Sequence, residues 1–117
     1  MDTESRIRGI IQEINTISRD QVTGNPQQLW NWGVQLGAEL TFLATEMVDA
    51  RRGYALILLT KRQEQKTKAD AEIYAMTSPE WQRYEQIKQL HESGKEMLMV
   101  VKKFINVMES ERRTMHY

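Results

Sequence analysis

The sequence predicts an all-α fold: an elongated, coiled-coil-like antiparallel helical hairpin with an additional N-terminal amphipathic helix, three helices in total. Three observations predict it. Only two prolines and six glycines interrupt 117 residues. Apolar residues recur at three- and four-residue steps in three separate stretches, which is the period of one helix face. Two proline-led breaks, Asn25-Pro26 and Ser78-Pro79, divide those stretches. The length suits one compact or extended domain, residues 1–117, and is too short for two cores.

The first helix is expected over residues 3–18. Ile7, Ile10, Ile11, Ile14 and Ile17 fall on one narrow stripe. Burying each isoleucine contributes roughly 1.5–3 kcal/mol, so this face must dock on a neighbour. The second helix is expected over 26–76. Asn25 can cap it, Pro26 suits the first helical position, and Gln28 can reach back to the cap. Leu29, Gly33, Leu36, Leu40, Leu43, Met47, Ala50, Tyr54 and Ile57 then alternate by four and three, a heptad seam. The same register continues onto Lys61, Glu64 and Lys68, so the seam turns polar. Gly53 and Thr60 are the candidate break points, and a kink is looked for over 53–60.

The third helix is expected over 79–115. Ser78 can cap it, Pro79 takes its first turn, and Glu80 complements its dipole. Tyr84, Ile87, His91, Gly94, Leu98, Val101, Ile105 and Met108 form a second heptad seam. A turn as short as that at Ser78 implies an antiparallel return, pairing Leu98 with Leu58 and Ile105 with Arg51. The isoleucine helix then belongs near Leu36 to Met47, where the hairpin is richest in apolar residues.

Sixteen basic and sixteen acidic residues balance, which excludes a polycation and an acidic solvating tail. The absence of cysteine excludes a disulfide framework, a thiol nucleophile and a thiolate zinc site. No glycine-rich phosphate loop, Gly-x-Ser-x-Gly elbow or His-Glu-x-x-His helix is present. His91 sits on a seam, where a hydrogen-bonded core histidine is the ordinary reading. Glu92 and Glu96 share a face but lack the paired Glu-x-x-His of a di-iron bundle. An enzyme, a cofactor and a bound metal are therefore not expected. The N-terminus, acid before base with no apolar run after it, is unlike a secretory leader. The most apolar run, Tyr54 to Leu59, falls far short of the about 20 residues of a bilayer span. The cytoplasm is the expected location.

Two surface features point to partners. Residues 51–68 carry Arg51, Arg52, Lys61, Arg62, Lys66 and Lys68 against Glu64 alone. Such a band could meet nucleic-acid phosphates, although few aromatics lie beside it to stack bases. Balance against acidic neighbours is its simpler reading. The second feature is surplus apolar surface. Beside the first seam run Trp30, Val34, Ala44, Val48, Ala55 and Leu58, and beside the last run Trp81, Leu90, Met97 and Phe104. One short helix cannot cover both stripes. Trp30, Val34, Trp81, Leu90, Met97 and Phe104 are therefore the expected protein interface, for a homo-oligomer or a partner protein.

Ala50-Arg51-Arg52-Gly53-Tyr54, Lys66 to Glu72, Trp81-Gln82-Arg83-Tyr84 and Glu109 to Arg113 carry a likeness. From about Ala44 to Thr114 the chain resembles a diffuse group of small all-helical bacteriophage and prophage proteins. The resemblance implies a phage context, in which such proteins bind and inhibit or recruit host factors. It supplies no catalytic residue. The resulting expectation is a non-enzymatic helical interaction protein that self-associates and binds or inhibits a host or phage protein. The alternative is a nucleic-acid-binding accessory of phage recombination or replication that uses the basic band.

Overall fold

The computed structural model describes residues 2–16, 26–64 and 67–115, with side chains through Ser110. Four helices and no strand occur among the described residues: α1 (Thr3–Thr16), α2 (Pro26–Gln63), α3 (Lys68–Met76) and α4 (Pro79–Met115). The expected cap at Asn25, the end of the isoleucine stripe at Ile17 and Ser18, and Lys66 lie outside the described residues. The molecule is long, 72 × 29 × 20 Å with a radius of gyration of 19.9 Å. A compact chain of this length would have about 13 Å.

The expected three-helix hairpin is corrected to four helices. The 26–76 helix is two helices, and α2 runs unbroken through Gly53 and Thr60 to end at Gln63. The break has a local cause. Thr67 is extended (φ −62°, ψ 159°), and its hydroxyl accepts the Asp70 N–H at 3.1 Å, so it caps a new helix. It also has a larger one. Past Ile57 the seam is polar, and a straight helix would leave Ala71 and Ala75 in water. Folding back buries both completely.

The turn of the hairpin moves with that break. Lys61 lies over Tyr74, Gly53 faces Glu80, Leu40 meets Gly94 and Gly33 faces Val101. Each pair is centred within one residue of Thr67. The chain therefore reverses between the end of α2 at Gln63 and the start of α3 at Lys68, and Leu98 and Ile105 pair far from Leu58 and Arg51. Ser78 is a break inside the returning limb, between α3 and α4. Its hydroxyl accepts the Trp81 N–H at 3.2 Å, the capping role its sequence suggests. The coiled-coil hairpin of two helices is thus replaced by a long helix, a two-piece return and a third helix laid over them.

That third helix is α1. It runs antiparallel to α2, with Glu13 beside Trp32 and Arg6 beside Glu39. Asp2 caps it, its carboxylate accepting the Ser5 N–H at 2.8 Å. Ile7, Ile10 and Ile14 are buried against Leu29, Trp32, Leu36, Leu40 and Leu43 of α2 and Ile87, Leu90, Val101 and Ile105 of α4. Arg83 of α4 completes the docking with ion pairs to Glu4 (2.5 Å) and Glu46 (4.0 Å). Half-exposed pairs of this kind contribute no more than about 1 kcal/mol, so the isoleucines dominate.

At Gly94 a Cβ would stand 2.5 Å from Leu40 Cδ2 and 3.6 Å from Ile7 Cγ2. At Gly37 it would meet nothing within 4 Å. Gly94→Val is therefore expected to lower stability by about 1–3 kcal/mol through overpacking. Gly37→Ala is expected to raise it by up to about 1 kcal/mol through helix propensity; urea titration of the two variants checks both signs. The Ser5 amide holds the Asp2 carboxyl below its ordinary value near 3.8. A lowered native value stabilises above the unfolded one and is lost as pH falls through the native one. Amide protection in α1 is thus expected to weaken in acid below about pH 3.8, and Asp2→Asn, which still caps, flattens that dependence.

Candidate interaction surface

α1 occupies one side of the groove between α2 and α4 and leaves the outer side of α2 bare. Between Pro26 and Val48 the only charged residues of α2 are Glu39 and Glu46. Both face the packed side, Glu39 toward Arg6 of α1 at 2.7 Å and Glu46 toward Arg83 of α4. Trp32 is also turned inward, and its indole N–H donates to Glu13 at 3.0 Å. The charged groups of this stretch are therefore on the docked side. The opposite side presents Trp30, Val34, Phe42 and Val48, each at least half exposed.

Further along α2, Leu56 and Leu59 are 58% and 54% exposed. With Phe42 they belong to a second regular series on the outer side: Ala38, Phe42, Thr45, Asp49, Arg52, Leu56, Leu59 and Gln63. The steps alternate four and three without a fault, and all eight residues are exposed. α2 thus carries two seams, one filled by α1 and α4 and one facing water. A helix apolar on nearly all sides is normally an interior helix.

The six residues expected to form the interface divide. Trp30 and Val34 are exposed, at 50% and 68%. Leu90 is in the core, and Met97 and Phe104 pack against it. Trp81 lies between Tyr54 and Tyr84, with ring centroids 4.8 and 5.8 Å away. Leu90 is buried and Trp81, Met97 and Phe104 are half-buried, so the stripe on α4 is largely taken up by packing within the chain. Phe42, Leu56 and Leu59 take their place at the surface. The regular 38-to-63 series, with only two charges, was the sequence signal for them.

The basic band is not gathered on one face. Arg51 and Arg52 are consecutive, about 100° apart around the helix, and Lys68 stands on α3. The Lys61 ammonium lies 3.2 Å from Glu64 and 4.0 Å above the Tyr74 ring, and the Glu64 hydrogen bond raises its pKa above 10.5. Arg62 is exposed on the last turn of α2.

Open clefts are found among the described residues. One of about 360 Å³ is lined by Ile57, Tyr74, Thr77, Ser78, Pro79 and Glu80. Another, about 380 Å³, is lined by Val100, Lys103, Phe104 and Val107. In the first, the Thr77 hydroxyl donates to the Tyr74 carbonyl, and the Ser78 hydroxyl donates to the Ala75 carbonyl and accepts the Trp81 N–H. Among the described residues no group of three or more His, Asp or Glu is placed to hold a metal ion. No described helix is long and apolar enough to cross a membrane.

No family model, curated protein or solved structure matches the chain. The phage-protein resemblance and the inhibitor role it implies gain no support from these comparisons.

The inward and outward tryptophans are expected to respond differently to mutation. Trp81→Leu removes two aromatic contacts worth about 0.5–1.5 kcal/mol each and lowers stability by about 1–3 kcal/mol. Trp30→Gln is expected to stay within about 0.5 kcal/mol of the parent chain. Denaturant unfolding followed by circular dichroism measures both.

Proposed function

We propose that the protein is a non-enzymatic interaction module that docks against another protein through the outer face of α2. One observation carries this reading. Phe42, Leu56 and Leu59 lie on a regular helical seam, each more than half exposed, and only Asp49 and Arg52 on that seam are charged. Exposed large apolar side chains scattered singly need no explanation, whereas several on one helix face, here Trp30, Val34, Phe42, Val48, Leu56 and Leu59, mark a contact surface. Helix-on-helix docking suits the spacing, since a partner helix fills the holes between four- and three-residue steps.

Site-specific photo-cross-linking in the producing cell tests the reading. A benzophenone side chain at Phe42 or Val48 is expected to trap a polypeptide, and one at Glu92, on the far side of the molecule, is not. Silence at both α2 positions, or adducts with nucleic acid alone, would contradict it.

A further inference from the structure

We infer that the occupant of the outer α2 face is a second copy of this chain, packed antiparallel about a two-fold axis between Ala50 and Arg51. This inference rests on the docking reading of α2 and names its partner.

Charge selects the arrangement. The outer seam from Ala38 to Gln63 holds two charged residues, Asp49 and Arg52, of opposite sign. They are adjacent on the seam and stand at its centre. Neither forms an ion pair among the described residues, although both are exposed. A seam stepping by four and three maps onto itself when reversed about its midpoint. That operation sets Asp49 against the partner's Arg52 and Arg52 against the partner's Asp49. Outward from this double pair, Thr45 meets the partner's Leu56 and Phe42 meets the partner's Leu59. Every large apolar residue of the seam then faces an apolar or small one.

Other registers fail the same criterion. Parallel pairing places Asp49 against the partner's Asp49 and Arg52 against the partner's Arg52. Sliding the reversed copy by one heptad toward the N-terminus sets Arg52 against the partner's Phe42. Sliding it the other way sets Asp49 against the partner's Leu59. Like charges or a buried unpaired charge penalise each of these. The arrangement is isologous, as a two-fold dimer requires.

The size is sufficient. The 26 residues from Ala38 to Gln63 span about 39 Å, and half of a helix 10–12 Å across offers roughly 600–700 Å² over that length. Two copies together reach about 1,200–1,400 Å², within the range of stable specific interfaces. The pairing also meets a need of the fold. α1 lies beside Trp32 to Glu39 of α2, and among the described residues the half toward Gln63 is backed by α3 and the start of α4. The second copy covers that thinner half.

The test uses the full chain, which has no cysteine of its own. Light scattering at micromolar concentration is expected to give twice the chain mass. Asp49→Arg and Arg52→Asp, each alone, set like charges across the axis and are expected to give monomer. The double variant Asp49→Arg/Arg52→Asp is expected to restore the dimer. Circular dichroism verifies that all three remain helical. As a second readout, oxidising an equal mixture of Asp49→Cys and Arg52→Cys chains is expected to yield the mixed disulfide in excess over either like pair. A monomeric parent chain, single reversals without effect, or like disulfides in excess would each overturn the inference. Cross-links from Phe42 to a different polypeptide, with a monomeric parent chain, would overturn it while leaving the docking reading of α2 intact.

Discussion

The missing side chain at Gly94 is the constraint on which the arrangement of helices depends. There α4 comes close enough to α2 for Leu40 to occupy the space a Cβ would fill, and Ile7 of α1 reaches the same point. Three helices meet at one position with nothing between them. Leu40 and Gly94 in contact fix the register of α2 against α4, and that register fixes where the reversal must lie. Ile7 in the same contact fixes which side of the groove α1 occupies. The outer side of α2 is left uncovered as a consequence. The candidate interface is thus the complement of the core, defined by what α1 does not reach.

α2 is asked to do two things with one helix. Its inner seam of leucines holds α1 and α4, and its outer seam of Phe42, Leu56 and Leu59 faces water. Charge sorts the two. The acidic residues Glu39 and Glu46 are spent on the arginines of α1 and α4, whereas Asp49 and Arg52 stand together at the middle of the outer seam. Packing of the inner seam also explains why α2 stays unbroken through Gly53. A helix packed along one side for most of its length tolerates the roughly 1 kcal/mol cost of one glycine.

Much of the fold was legible because it rests on periodicity. The isoleucine stripe as far as Ile14, both inner seams and the Pro26 and Pro79 starts appear in the structure, and α1 lies nearer the start of α2, beside Trp32 to Glu39, than the expected 36–47. The position of the reversal was not legible from periodicity. It depends on Thr67, whose capping sequence Thr67-Lys68-Ala69-Asp70 lies inside a stretch of high helix propensity. Local propensity favours continuing the helix there, and burial of Ala71 and Ala75 against α2 overrides it. The exposed apolar face of α2 was legible only in part. Trp81, Leu90, Met97 and Phe104 are as apolar as Trp30 and Val34, and composition cannot tell a stripe that α1 covers from one that it leaves bare. Only the corrected register separates them.

Hydroxyl-radical footprinting read residue by residue along α2, on dilute protein, tests the central claim most directly. The inner leucines Leu36, Leu40 and Leu43 should be oxidised several-fold more slowly than Phe42, Leu56 and Leu59 of the same helix. Equal rates for the two sets, or protection of the second set in the dilute chain, would contradict an α2 closed on one side by α1 and α4 and open on the other.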